Sequence, residues 1–426
     1  MVDTIVPNEA SLERTVWQRY TVRWGKRLLL GQLAKIRHGR ITVVDPSDQR
    51  SFGDEHGDFS IEARITISDD RFYSKAIFGG SIGAAEAYMA GFWSTDNLTD
   101  LIRIIIRNQD LFMELDRGWA RLTEPVYRLF HFLRKNTLRG SRQNIIAHYD
   151  LSNEFYKLFL DETLTYSCAI FESETASLKE AQMAKYDRIC RKLQLTPADR
   201  VIEIGSGWGG FSIFAAQNYG CQVTTTTISL EQHRLVQERI AKAGLSGRIR
   251  LLGKDYRDIS GTFDKLVSIE MIEAVGHHYL DTFFRCCSRL VKPDGLMLLQ
   301  AITISDQAYG QHKHSVDFIK RYIFPGSCIP SLTAFCSSMT RATDLRLFHL
   351  EDITPHYAWT LRTWRENFFN NIEKVRALGF SDAFVRMWEF YLCYCEAGFM
   401  ERYLGDVQIL FSKPLCRRGP VLPQLI

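Results

Sequence analysis

Three patterns of apolar residues follow one another along the chain. Before about residue 37, Trp17, Tyr20, Trp24, Leu28, Leu29, Leu30 and Leu33 recur at spacings of three and four, which predicts a helix with one apolar face. From Gly39 to about Ile77 the period shortens: Ile41 and Val43, then Phe59, Ile61, Ala63, Ile65 and Ile67, then Phe72, Tyr73, Ala76 and Ile77. Gly53, Gly57 and Asp69-Asp70 punctuate these runs, so they predict a small antiparallel sheet. Gly79-Gly80-Ser81 opens a further helix through Ala90, with Ser81 placed to cap it. Asp96 or Thr99 caps the next, Leu101 to Arg107.

The third pattern fills the second half. Short apolar runs at Val201–Ile204, Cys221–Thr227, Arg248–Leu252, Phe263–Ile269 and Gly295–Ile302 read as strands. Helical segments alternate with them: Ser177–Leu193, Phe211–Ala216, Glu231–Ala243 behind a Ser229 cap, and Tyr279–Leu290. Repeated strand–helix units predict an α/β fold, doubly wound and Rossmann-like, beside a smaller N-terminal α+β domain. In such a sheet ligands sit outside the carboxyl ends of the strands. Chemistry is therefore expected on the loops Gly205–Gly210, Thr227–Gln232, Asp255–Arg257 and Glu270–Gly276, and near Gln300. Ser327 to Leu361 reads as irregular, a candidate lid, and Tyr391 to Phe411 as a helix and a closing strand.

Between the halves, Arg117, Arg121, Arg128, Arg134, Lys135, Arg139 and Arg142 are interleaved with Trp119, Tyr127, Phe130 and Phe132. Such a stretch suits a membrane surface, and equally a connector packed between domains. The expected organisation is an N-terminal domain over 1–120, a basic-aromatic linker over 121–144 and a second domain over 145–426.

Composition narrows the picture. At 426 residues the chain exceeds ordinary single-domain size. A net charge of +4 gives no argument for nucleic acid. Ten cysteines without a CxxC pair point to reduced thiols and a cytoplasmic setting rather than to a zinc site, and no metal is expected. No signal-peptide pattern opens the chain and no apolar run reaches membrane-spanning length, so membrane contact is expected to be peripheral.

The chemistry centres on Arg200-Val-Ile-Glu-Ile-Gly-Ser-Gly-Trp-Gly-Gly-Phe211, a strand, a glycine turn and a helix. Glycines let backbone approach a ligand, and a helix N-terminus favours electronegative groups. The spacing departs from a dinucleotide fingerprint, and Glu203 precedes the first glycine. A carboxylate there repels a pyrophosphate but pairs with an ammonium, which favours S-adenosylmethionine over NAD. A tight turn with no ligand is the plainer alternative.

These residues, with further blocks, resemble the cyclopropane-fatty-acyl-phospholipid synthase family. The blocks are His148-Tyr-Asp-Leu-Ser-Asn153, Tyr166-Ser-Cys-Ala169, Thr227-Ile-Ser-x-Glu-Gln232, Asp255-Tyr-Arg-Asp258, Met271-Ile-Glu-x-Val-Gly276, Tyr322-Ile-Phe-Pro-Gly326 and His356-Tyr-x-x-Thr-Leu361. The resemblance implies transfer of a methyl(ene) group from S-adenosylmethionine to the double bond of an unsaturated phospholipid acyl chain. The resulting carbocation loses a proton to a bound bicarbonate ion and closes a cyclopropane ring. It also implies a homodimer attached peripherally to the inner face of the membrane. The bicarbonate cradle maps onto Cys168, Glu273, Gln300, Ile302 and Tyr357, with Cys168 and Ile302 acting through backbone groups. Because two anions cannot sit together, a protonated partner is expected there. Cofactor contacts are implied for Tyr166, Ser167, Glu203, Gly205, Gly207, Gly209, Thr227, Ile228, Ser229, Gln232, Asp255 and Tyr256. Phe318, Ile319, Tyr322 and Ile323 are expected in an acyl pocket.

Two residues depart from the bacterial pattern: Gln300 and Ala274 stand where histidines are common. Glutamine donates and accepts hydrogen bonds but does not titrate. A methylene or methyl branch is therefore an alternative product, and a non-catalytic lipid-binding paralogue is the rival of another class.

Overall fold

A computed structural model describes residues 16–53, 60–111 and 151–421, which form two compact units. The basic-aromatic segment and the His148–Asp150 part of its block lie outside the described residues.

The first unit carries a four-stranded sheet of β1 (Arg40–Asp45), β2 (Asp48–Gly53), β3 (Glu62–Ile67) and β4 (Trp93–Thr95), in the order β2-β1-β3-β4. Along β3, Ala63, Ile65 and Ile67 are buried while Glu62, Arg64 and Thr66 are exposed, the period-two pattern of a half-buried strand. The sheet is mixed rather than antiparallel, because β1 and β3 run parallel. Phe72, Tyr73, Ala76 and Ile77 do not continue it. They lie on the helix Arg71–Met89, and their repeat of four is one helical face. Gly80, at φ 57° and ψ −144°, kinks this helix, so the helix expected from Gly79-Gly80-Ser81 is its second half. The helix Leu98–Arg107 is capped by Asn97, which accepts from Asp100 N at 3.0 Å, and not by Asp96 or Thr99.

This unit is not confined to the first 120 residues. Ser315–Ile323 and Phe368–Tyr403 belong to it. The helix Asp382–Met400 bonds to it through Tyr88 Oη to Glu389 (2.7 Å) and Thr99 Oγ1 to Glu396 (3.1 Å). Phe318 packs on Phe390 with ring centroids 4.7 Å apart, so it is part of an aromatic core. A chain that leaves a domain and returns shows no composition boundary at the return, which is why a single cut at 120 was expected.

The second unit holds a seven-stranded sheet. Its strands are β5 (Arg200–Ile204), β6 (Gln222–Thr226), β7 (Ile249–Leu252), β8 (Phe263–Ile269), β9 (Val291–Ile304), β10 (Arg346–Asp352) and β11 (Leu404–Ser412), in the order β10-β11-β9-β8-β5-β6-β7. Strands β5 to β9 are parallel, and β11 and β10 add antiparallel edges. Both faces are buried, as parallel sheets require. Val201, Val267, Leu296 and Leu298 pack into one apolar core, and Ile202, Leu266, Met297 and Leu299 into the other. Successive strands run outward from β5 in one direction and from β8 in the other. The switch point, where a ligand crevice forms, lies between them.

Ser327 to Leu361 is regular, contrary to expectation. It contains the helix Leu332–Ala342, capped by Ser331, then β10 and the start of the helix Thr354–Asn370. Tyr391 to Phe411 does supply a helix and a closing strand, one in each unit.

Candidate active site

The crevice at the switch point opens into a cavity of about 1190 Å³, counting the solvent at its mouth. Glu203, near the end of β5, is 2% exposed. Thr225 Oγ1 donates to it at 2.5 Å, and among the described residues no Lys or Arg bonds to it. Burial therefore pushes its carboxyl up to about 8, against hydrogen bonds from Thr225 and Ser212 that pull it down. The glycine turn follows. Gly207 has φ +49° with nothing within 4 Å of where a Cβ would stand, so its backbone is open to a ligand. Gly210 starts the next helix, where a Cβ would lie 2.3 Å from Tyr186 Oη.

At the far wall, Asp255 is bonded by Arg257 through Nε (2.8 Å) and Nη2 (2.7 Å). Burial raises its carboxyl, but these bonds outweigh it and hold the group low. Thr227 Oγ1 donates to Gln232 Oε1 at 2.9 Å, leaving the Gln232 amide NH2 as a donor beside the cavity. The chain thus offers a cation-seeking carboxylate, open backbone and a polar wall with an aromatic ring, Tyr256. That donor set fits the ammonium, ribose and adenine of S-adenosylmethionine.

A second carboxylate was missed from the sequence. Glu270 follows β8 directly, and its backbone N donates to Gln300 O at 2.8 Å, extending the sheet by one rung. It then turns at φ +46°, a left-handed conformation that costs a non-glycine residue about 1 to 2 kcal/mol. The turn brings its side chain into the cavity wall. There Oε1 accepts from Cys168 N (2.8 Å) and Gln300 Nε2 (2.8 Å), and Oε2 accepts from Tyr357 Oη (2.6 Å). Three donors therefore fix both oxygens of one carboxyl group.

Those donors are positioned from below. Gln182 Nε2 donates to Ser167 O at 3.0 Å and Lys185 Nζ to Ser167 Oγ at 2.8 Å, fixing the loop that presents Cys168 N. Burial drives the Lys185 ammonium down to about 8, opposed by Glu270 and its neighbours. Gln300 on β9 stands opposite Gln408 on β11, and both are 0% exposed. Gln408 Nε2 donates to Gln300 Oε1 at 3.0 Å, and Lys192 Nζ donates to Gln408 Oε1 at 2.7 Å. An ammonium only donates, so both amide orientations are dictated, and Gln300 must point its NH2 at Glu270. Lys192 is itself paired with Glu351.

Two further carboxyls adjoin. Glu273 Oε1 accepts from Ile302 N at 2.6 Å, and its buried Oε2 has no hydrogen-bond partner. Burial, then the charge of Glu270, raises this group to about 8, so it is the protonated acid expected at this position. Burial and the charges of Glu270 and Glu273 also raise Asp406 far above the carboxylate range. Beside these groups lies an aromatic wall. Tyr166 is 5.2 Å from Trp364, 5.5 Å from Tyr156 and 6.4 Å from Phe324, and Tyr156 is 4.7 Å from Trp208.

Of the expected cofactor residues, Tyr166, Ser167, Glu203, Gly205, Gly207, Thr227, Ile228, Gln232, Asp255 and Tyr256 line the cavity. Gly209 and Ser229 do not: Gly209 is the left-handed cap of one helix, and Ser229 Oγ caps another by accepting from Gln232 N. Cys168 and Ile302 contribute backbone N–H groups, but to Glu270 and Glu273, and the Cys168 thiol is pushed up by burial. The bicarbonate ion does not fit this arrangement. Cys168 N, Gln300 Nε2 and Tyr357 Oη already hold Glu270, and Ile302 N holds Glu273, so an added anion would have to displace the Glu270 carboxyl from those three donors.

Comparison with known proteins identifies the family. The mycolic acid cyclopropane synthetase family matches residues 136–409. The chain is 39% identical over 348 residues to tuberculostearic acid methyltransferase UfaA1 of Mycobacterium tuberculosis (strain ATCC 25618 / H37Rv), covering 80% of each. It is 34% identical over 360 residues to cyclopropane-fatty-acyl-phospholipid synthase of Escherichia coli (strain K12), covering 83% of this chain and 89% of that one. Among solved structures, the cyclopropane synthase MmaA2 from Mycobacterium tuberculosis superposes with a TM-score of 0.59 at 32% identity, over 64% of this chain and 98% of the other. The mycolic acid cyclopropane synthase CmaA1 complexed with SAH and CTAB gives 0.60 at 32% identity, over the same shares. With a Rossmann-like sheet, a cavity built for a sulfonium nucleotide and these relatives, the chain belongs to the cyclopropane synthase family of S-adenosylmethionine-dependent lipid methyltransferases.

Proposed function

We propose that this protein methylates the double bond of an unsaturated acyl chain in a membrane phospholipid and closes it to a cyclopropane ring. The observation that carries this reading is Tyr166, which lines the cofactor cavity with Glu270 and is backed by a cluster of Trp364, Tyr156 and Phe324. S-adenosylmethionine, when bound, supplies an electrophilic methyl group to the alkene and leaves the acyl chain as a carbocation. Glu203 pairs with the cofactor ammonium and Gln232 donates beside it. The aromatic rings exclude water, which would otherwise trap the cation as an alcohol, and their faces stabilise positive charge.

The phospholipid as substrate is supported by coverage. The Escherichia coli phospholipid synthase aligns with 83% of this chain, whereas cyclopropane mycolic acid synthase 1 aligns with 63%. A bilayer substrate places the work at a membrane surface, and the basic residues between Arg117 and Arg142 would attract anionic lipid. Among the described residues no helix is long and apolar enough to cross a membrane.

The test is purified protein with methyl-labelled S-adenosylmethionine and liposomes of unsaturated phospholipid, the acyl chains being analysed by mass spectrometry. Label in a ring is the expected result, and an unlabelled lipid fraction would refute the reading. A methylene or methyl branch is the second reading. It is favoured by the 39% identity to a relative whose name is that of a methyltransferase rather than a ring-forming synthase. The same spectrum separates the two products.

A further inference from the structure

We infer that Glu270 is the resident general base of this enzyme, taking the place of an exogenous bicarbonate ion. The inference rests on the acyl-chain methylation proposed above and deepens it. Cys168 N, Gln300 Nε2 and Tyr357 Oη converge on one point, and the group they hold is a carboxylate of the chain itself. A carboxylate matches bicarbonate in charge, planarity and acceptor geometry, so it satisfies the same donors.

Three independent features say that this placement is built. The first is backbone: Glu270 sits at φ +46°, a conformation glycine would adopt without strain, so the side chain is retained despite its backbone. The second is polarity: the chain Lys192–Gln408–Gln300 forces an N–H toward Glu270, where a titrating histidine could present either a donor or an acceptor. Gln300, which put the product in doubt in the sequence, is the residue a fixed carboxylate needs. The third is placement: Oε1 is held by Cys168 N and Gln300 Nε2 and Oε2 by Tyr357 Oη, so both oxygens are fixed by the chain. Glu270 also lines the cavity that holds Glu203 and Tyr166.

In the reaction, a C–H bond of the newly added methyl breaks. Its electron pair forms the C–C bond that closes the ring, the positive charge on the acyl chain is discharged, and the proton passes to Glu270. Glu270 returns that proton to solvent once the product leaves. Gln300, Gln408 and Lys192 are positioning residues, acting through Glu270.

The test compares wild type, Glu270→Gln and Glu270→Gly in bicarbonate-free and bicarbonate-supplemented buffer, after melting curves establish that each is folded. Wild-type labelling of lipid is expected to be independent of bicarbonate. Glu270→Gln, nearly isosteric but not basic, is expected to lose about a hundredfold or more in turnover. Glu270→Gly empties the anion position, so added bicarbonate or formate is expected to restore part of its turnover with saturation. Binding is read separately by NMR of isotopically labelled bicarbonate: none to wild type, saturable binding to Glu270→Gly. Wild-type activity that collapses on bicarbonate removal, saturable bicarbonate binding to wild type, or full turnover by Glu270→Gln would each overturn the assignment while leaving the lipid reading intact. Failure of wild type to label any lipid would overturn the lipid reading and, with it, the role of base. The NMR result would then still decide whether Glu270 fills the anion position.

Discussion

Glu203 and Glu270 stand at the carboxyl ends of neighbouring parallel strands and line one cavity, yet the fold treats them oppositely. Glu203 receives hydroxyl hydrogen bonds and no direct bond from a Lys or Arg among the described residues, and burial lifts its carboxyl to about 8, against the charge of Lys185. Glu270 receives an amide N–H, a carboxamide and a phenol. One carboxyl is left for a cationic ligand to ionise, and the other is already held by three donors of the chain before any ligand arrives. The same residue type becomes a docking point in one place and a base in the other, through its burial and its donors.

The largest expected effect separates chemistry from binding. Glu270→Gln should lower turnover about a thousandfold, within the usual range for a lost general base, while affinity for S-adenosylhomocysteine measured by calorimetry changes less than about twofold. Glu203→Gln should do the reverse. Losing a charge-assisted contact of about 1.5 to 3 kcal/mol weakens cofactor binding about tenfold to a hundredfold and leaves saturated turnover nearly intact. If both variants moved the same parameter, the division between the two sites would be wrong.

A pH titration sharpens the same contrast. With its carboxyl at about 8, Glu203 is neutral in the free protein near pH 7, and an ammonium favours its ionised form. Cofactor affinity should therefore rise with pH and level off above about pH 8, and Glu203→Gln should abolish the slope. The sign for stability is opposite. The raised carboxyls of Glu203 and Glu273 stabilise the free fold fully below 4.5, the ordinary value, and that contribution is lost as pH rises through about 8. Melting temperature of the free protein should fall over this window by more than that of Glu203→Gln. The smallest effect concerns Ser229, which caps a helix and does not line the cavity. Ser229→Ala should cost about 1 kcal/mol of stability by thermal melting and leave cofactor affinity unchanged. A drop in affinity would return Ser229 to the binding site.

How far the sequence could be read follows from where the information sits. Val201 to Phe211 announced its strand, turn and helix because the pattern and the glycines are local. Glu273 and Tyr357 were found through matched blocks. Glu270 was within reach, since an acid directly after a parallel strand is a ligand position by topology, but the resemblance drew attention three residues on, to Glu273. Asp406 and Gln408 could not be read. They alternate with Val407 and Ile409 as solvent-facing residues do, and only the pairing of β11 with β9 shows that this face is buried against Gln300. The return of Phe368–Tyr403 to the first unit was hidden for the same reason: it is set by long-range packing that no local composition marks.

The most direct test of the account is a crystal structure of the S-adenosylhomocysteine complex grown in the presence of bicarbonate. The expected result is the Glu270 carboxylate on Cys168 N, Gln300 Nε2 and Tyr357 Oη, with no separate anion among them. A planar ion on those three donors, with Glu270 turned away, would contradict it.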